Sequence, residues 1–234
     1  MMELKAIKKK YPKIVEQMRM AAIVAGVEIL KIYLQSDFRI EYKSDDSPLT
    51  QADRIADKVI CEMLMSSFPN IPIVSEESHG DLNAAMEEIF FLVDPLDGTK
   101  EFIKKTGEFT VNIALILNGK AEMGVVFVPV KGDLYYRGLD GLSFWERNAS
   151  ISGVKTDVEL ISCRPISPKN LTIVQSLSHS TPDTDAYVAK YEPTKSQSAG
   201  SSLKFCLIKF CLSLLARFLR ALFCLCSSSQ ICEI

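Results

Sequence analysis

The chain has 234 residues, with 27 Lys and Arg against 29 Asp and Glu, a formal net charge of −2 and 47% hydrophobic residues. That is long and apolar enough for a sizeable core in one large or two small domains, and the balanced charge excludes a global pull toward nucleic acid polymers or anionic lipid. The N-terminus, residues 1–10, lacks an apolar stretch of signal-peptide length, so a cytoplasmic protein with reduced thiols is expected.

Along the chain, Lys8-Lys9-Lys10 reads as a solvated leader. From Pro12, which suits a first helical position, Ile14, Met18, Ala22, Ala25, Ile29 and Tyr33 recur at three and four residues and predict an amphipathic helix to about 34. Ser44-Asp45-Asp46-Ser47-Pro48 is a loop. Thr50 opens a second helix with Ala52, Ala56, Val59 and Met63 on one stripe, and Thr50 with Asp53 fits a capping box, which on spacing alone makes Asp53 a helix cap. Phe68-Pro69-Asn70 ends that helix, and Ile71-Pro72-Ile73-Val74 is a short strand running into Ser75-Glu76-Glu77-Ser78.

Ile89-Phe90-Phe91-Leu92-Val93 is a continuous apolar run that reads as a strand buried on both faces and closed by Pro95. Asp94 and Asp97 then lie three residues apart across a turn stiffened by Pro95 and relaxed by Gly98. Together with Glu76 at the other strand end, they can converge on one point. Oxygen ligands gathered in this way suit a hard divalent cation such as Mg²⁺, which keeps sites for phosphate. The backbone N–H groups of Gly98 and Thr99 offer an anion cradle. The alternative for this stretch is an Asp-Gly surface turn.

Residues 109–117 and 121–129 are β-rich runs joined by Asn118-Gly119, a strong hairpin signal. Runs at 134–136 and 142–145 extend them into a meander, so an antiparallel sheet covered by the two early helices, an α+β arrangement, is expected. The polar stretch 152–157 reads as a linker. Beyond it stand a strand at 171–174, His179 after it, a short helix over 183–191, and the Gly/Ser loop 196–202 entering a helix at 203–207. That loop could hold a phosphate with Lys204 as counter-charge, although loops of this composition usually serve as caps. Three segments follow: 1–150 as an N-terminal α+β domain with the acidic site, 151–207 as a partial C-terminal α/β domain, and 208–234 as a Cys- and Leu-rich tail. Cys206, Cys211, Cys224, Cys226 and Cys232 crowd toward that end, but Cys224-x-Cys226 alone does not make a zinc site.

Five ordered motifs resemble the Mg²⁺-dependent, lithium-sensitive phosphatases of the inositol monophosphatase superfamily. They are Thr50-Gln51-Ala52-Asp53, Ser75-Glu76-Glu77, the run from Asp94 to Phe102, the run from Gly107 to Leu115, and Gly200-Ser201-Ser202-Leu203-Lys204-Phe205-Cys206. Lys100-Glu101-Phe102 is similar to the 3'(2'),5'-bisphosphate nucleotidases of the CysQ type within it, where inositol monophosphatases more often carry Asn-Phe. The resemblance spans about residues 12 to 207 and implies a layered α/β sandwich with its second domain incomplete. It implies Glu76, Asp94, Asp97 and the Leu96 carbonyl as ligands of two or more Mg²⁺ ions, with inhibition by Li⁺. It also implies Asp53 and Thr99 as the pair that orients and deprotonates the attacking water, in place of the capping role. Gly98, Thr99, His179, Ser201 and Lys204 are similar to positions that contact the substrate.

The implied reaction converts adenosine 3',5'-bisphosphate and water to AMP and phosphate, within sulfur metabolism. The substrate is a small nucleotide rather than a nucleic acid polymer. An inositol phosphate phosphatase and a non-catalytic remnant of the family are the alternatives. The superfamily continues beyond this point with a Trp-Asp-x-Ala-Ala motif supplying a further metal ligand. Here the only Trp is Trp145, and 208–234 reads as a truncated or out-of-frame end rather than as a membrane-seeking helix.

Overall fold

A computed structural model of the chain describes residues 4–35, 40–42, 48–77, 87–138, 140–152, 157–162, 171–177 and 181–207. The tail 208–234 and His179 lie outside the described residues. The lysine run expected as a leader closes a helix, α1 (Leu4–Lys10), whose Ile7 is fully buried. Its three lysines occupy the last turn, where positive charge complements the helix dipole. Helix α2 (Ile14–Tyr33) buries Ile14, Met18, Ala22, Ala25 and Ile29, as their spacing predicts, and begins after Pro12 rather than at it. A short antiparallel pair, β1 (Ile40–Tyr42) and β2 (Pro48–Thr50), leads into α3 (Gln51–Ser67). The buried stripe of α3 is Ala52, Ala56, Ile60 and Leu64, while the expected Val59 and Met63 pack at its margin. A stripe stepped by four residues suffices because Asp53 and Asp57 share the buried side of this helix.

Strand β3 (Ile73–Ser75) pairs in parallel with β4 (Ile89–Asp97). Helix α4 (Thr99–Ile103) follows β4, and β5 (Thr110–Leu117), β6 (Lys120–Val128), β7 (Asp133–Arg137), β8 (Ser143–Arg147) and β9 (Asp157–Ile161) then add in sequence. The result is a seven-stranded sheet in the order β3-β4-β5-β6-β7-β8-β9, antiparallel except at its first pair. The β5–β6 turn has Asn118 at φ 50° and Gly119 at φ 72°, the two positive values that match the strand twist. Strand β9 extends this sheet past residue 150, where a domain boundary is expected from the sequence.

Side chains alternate between the two faces of the sheet, and both faces are covered. Phe91, Val93, Val111, Ile113, Val125 and Phe127 pack with α2 and α3. Phe90, Leu92, Ala114, Ile116, Val126 and Val128 pack with Ala199, Leu203 and Cys206 from later in the chain. Ala199 ends β11 (Lys195–Ala199) and Leu203 and Cys206 lie on α6 (Leu203–Leu207), after β10 (Thr172–Ser176) and α5 (Pro182–Ala189). The Gly/Ser stretch expected as a loop is therefore partly a strand, since β11 pairs in parallel with β10 through Ser176↔Ala199. Its small polar side chains leave the backbone free to pair, and only the segment from Gly200 to Ser202 turns into α6. The α+β expectation holds, with the elements in layers on either side of one sheet.

Candidate active site

The acidic residues gather where β4 ends. Strand β4 does not stop at Pro95 but continues to Asp97, with a register shift between Asp94 and Asp97 against β5. A bulge is where a strand tolerates a proline, because one ladder bond is already missing there. Its consequence for side chains is larger than its consequence for the backbone. Residues three apart on a regular strand face opposite ways, whereas Asp94 pairs with Asn112 and Asp97 with Thr110, two residues apart on β5. The extra residue on β4 therefore brings Asp94, Asp97, Asn112 and Thr110 to one face.

Asp94 is 2% exposed, and its Oδ1 has no hydrogen-bond partner among the described residues. Burial raises its pKa well above the ordinary carboxylate value, and the charges of Glu76, Asp97 and Asp53 push it further in the same direction. Asp97 is also raised by burial, against the lowering influence of Ser202 and Lys204. Four acids thus feel one another across this corner of the fold. Glu76 stands exposed just beyond β3, held there by its backbone N–H donating to the Val93 carbonyl at 3.1 Å. Among the described residues no three acidic, histidine or cysteine side chains close into a ready metal cage. Mg²⁺ does not require one, since it is usually held by one or two carboxylates with substrate phosphates and water completing the shell.

Asp53, at the start of α3, serves the cap and the site together. Its Oδ2 accepts from the Thr50 N–H at 2.8 Å and the Thr50 hydroxyl at 2.6 Å, while Thr50 Oγ1 accepts from the Ala52 N–H at 3.1 Å. Its Oδ1 faces Thr99, whose hydroxyl lies 3.3 Å from it and 3.4 Å from the Leu96 carbonyl. The capping box read from spacing and the Asp–Thr contact read from resemblance coexist, one on each carboxylate oxygen.

Gly98 sits between β4 and α4 at φ 91°, a conformation that side chains resist, and a Cβ there would meet Ser201 Cβ at 3.1 Å and Glu101 Oε2 at 3.2 Å. The segment after β11 closes over this glycine. Gly200 N–H donates to Glu108 Oε2 at 2.8 Å, Ser202 N–H to Asp97 Oδ2 at 2.5 Å, and Lys204 Nζ to the Ser201 carbonyl at 2.6 Å. Ser201 and Lys204 are thereby brought to the acidic corner with Gly98, Thr99, Leu96 and Asp97. Sequence reasoning missed Thr110 and Asn112. The signal was available: these are polar side chains in a strand buried at every position.

A sheet ending in convergent buried carboxylates beside an Asp–Thr contact defines the class of hydrolases that handle phosphate through a divalent cation. The chain belongs to the inositol monophosphatase family, whose sequence profile matches residues 12–213. The 3'(2'),5'-bisphosphate nucleotidase CysQ of Salmonella typhimurium is 41% identical over 196 residues, covering 82% of this chain and 75% of that protein. The CysQ of Escherichia coli K12 is 38% identical over 186 residues, covering 79% and 72%. The crystal structure of CysQ from Bacteroides thetaiotaomicron superposes with a TM-score of 0.69 at 35% identity, over 84% of this chain and 76% of that one. An inositol monophosphatase from Anabaena shares the fold, with a TM-score of 0.64 at 22% identity over 85% and 71%.

Proposed function

We propose that the chain is a 3'(2'),5'-bisphosphate nucleotidase of the cytoplasm. It removes the 3'-phosphate of adenosine 3',5'-bisphosphate with one water to leave AMP and phosphate, requires Mg²⁺ and is inhibited by Li⁺. The observation that carries the reading is Asp94. A buried carboxylate with an unpartnered oxygen, facing three further acids, is costly unless a cation takes that oxygen. The kinship with nucleotidases at about 40% identity supports the substrate.

In this reading Glu76, Asp94, Asp97 and the Leu96 carbonyl hold the cation. When bound there, Mg²⁺ supplies Lewis-acid polarisation of the phosphoryl group and stabilises the leaving oxygen. The protein's own part is positioning and proton transfer. Thr99 Oγ1 accepts a proton from the attacking water as it passes its own to Asp53 Oδ1, and the Thr50 bonds to Oδ2 keep Oδ1 aimed at Thr99. The N–H groups of Gly98 and Thr99 face the phosphate being transferred, presented by a turn at φ 91° where a Cβ would press on Ser201 and Glu101. Ser201, Lys204 and His179 contact the nucleotide and its second phosphate.

The test is phosphate release from adenosine 3',5'-bisphosphate by the purified chain, with Mg²⁺, without it, and with Li⁺ added. Magnesium-dependent, lithium-inhibited release is expected, and Asp97→Asn is expected to lower kcat/KM by at least about 100-fold while the folded CD spectrum is kept. Release from inositol monophosphate at a higher kcat/KM would replace the nucleotidase reading with an inositol phosphate phosphatase. No release by the folded protein would leave a non-catalytic member of the family.

A further inference from the structure

Behind the two strand-end carboxylates lies a directed chain of hydrogen bonds. Ser202 Oγ donates to Asn112 Oδ1 at 2.9 Å, and the same hydroxyl also lies against Asp97. A hydroxyl has one proton, so the 2.7 Å contact between Ser202 Oγ and Thr110 Oγ1 has Thr110 as its donor. With its carbonyl oxygen committed to Ser202, Asn112 turns its amide nitrogen toward the acids. Nδ2 lies 3.5 Å from Asp97 Oδ2, and the same side chain hydrogen-bonds Asp94. The Ser202 backbone N–H closes the arrangement on Asp97 Oδ2 at 2.5 Å. Thr110, Asn112 and Ser202 are all 0% exposed, so no bulk water competes for these groups and each lost link strands a buried polar atom.

We propose that Asn112 is a positioning residue for the cation site, with its amide oriented by the Thr110–Ser202 hydroxyl relay. The inference rests on the reading of Asp94 and Asp97 as cation ligands. Asn112 engages one oxygen of each carboxylate and so leaves the opposite oxygens, Oδ1 of Asp94 among them, directed at the cation. Two acids that repel each other need such a neutral donor between them to keep a fixed spacing before the cation arrives. Ser202 reaches Asn112 from the segment between β11 and α6, so the docking of that segment and the affinity for the cation are a single event. The polar pair Thr110 and Asn112 also has a place in the fold by register, as the direct partners of Asp97 and Asp94 across β4 and β5.

The experiment is titration calorimetry of Mg²⁺ into the full chain, with cation-free thermal melts to establish that each variant is folded. Thr110→Val keeps the shape and removes the hydroxyl, and Ser202→Ala removes the middle link. Each is expected to weaken Mg²⁺ binding about tenfold, the low end of the 10–100-fold range for groups that orient a metal ligand, and Thr110→Ser is expected to restore it to within about twofold. Wild-type affinity in both Thr110→Val and Ser202→Ala overturns the inference and leaves the nucleotidase reading intact. A loss in Thr110→Val that Thr110→Ser does not recover assigns the effect to packing and also overturns it. Absence of Mg²⁺ binding by the wild-type chain overturns the cation site itself, and this inference with it.

Discussion

All eight residues of β5 are buried, whereas four of the five residues of β11 are exposed and α5 buries no residue at all. The two regions meet along Ala199, Leu203 and Cys206, which cover the second face of the large sheet next to the acidic corner. The difference teaches where the fold concentrates its order. The seven-stranded sheet with α2 and α3 is closed on one side by its own helices, and among the described residues the β10–β11 region and α6 pack on its other side through Val174, Ala199, Leu203, Cys206 and Leu207. Cys206 belongs to that packed set, and burial pushes its thiol pKa up, which makes it a packing residue rather than a nucleophile.

Substitutions can break this contrast. The largest effect is expected in the main core: Phe91→Ala, at a site with 0% exposure, is expected to cost about 3–5 kcal/mol, while Tyr187→Ala on exposed α5 costs within about 0.5 kcal/mol by denaturant melts. Equal losses would mean that the two regions fold as equals. A smaller effect follows from pH. The raised pKa of Asp94 means that its favourable contribution to the cation-free protein is complete below the ordinary carboxylate value of 3.8 and is lost as pH rises through the raised value. In the proposed ligand set Mg²⁺ would take the place of the proton above that window, so the gain in melting temperature on adding Mg²⁺ is expected to grow with pH across it. A gain independent of pH would remove Asp94 from the ligand set. The smallest effect sharpens the contact between the regions. Lys204→Ala removes a charged hydrogen-bond donor worth about 1.5–3 kcal/mol, and KM for the bisphosphate is expected to rise about tenfold, with KM for a nucleoside monophosphate changing less. Equal changes for both substrates would place Lys204 away from the second phosphate.

Much of this architecture can be read directly from the residues, because apolar spacing and turn chemistry act locally. The α2 stripe, the Asn118-Gly119 hairpin and the meander through β8 are all of that kind. Register is not local, which explains the main departures. Pro95 signals the end of a strand to its neighbours, yet across the sheet it sits in a bulge that keeps β4 paired to Asp97. The stretch from Ser196 to Ser202 has loop composition, but pairing with β10 turns its first half into β11. Asp53 carries two readings, a cap from local spacing and a contact with Thr99 from resemblance, and only the third dimension reveals that a carboxylate has an oxygen for each. Asn112 lies within the motif from Gly107 to Leu115 without a role of its own there, and its meaning comes from the partner opposite it.

The bulge makes the site a matter of counting as well as of chemistry. A descendant of this chain that kept every acidic residue but lost either Pro95 or Leu96 would align almost perfectly with its ancestor. Yet its strand would return to the two-residue beat, so the two aspartates would keep Asn112 and Thr110 opposite them while the bulge between them, and the extra backbone carbonyl it presents, would be lost. The length of the interval from Asp94 to Asp97 thus decides whether the strand bulges there, while the two aspartates decide the charge it carries.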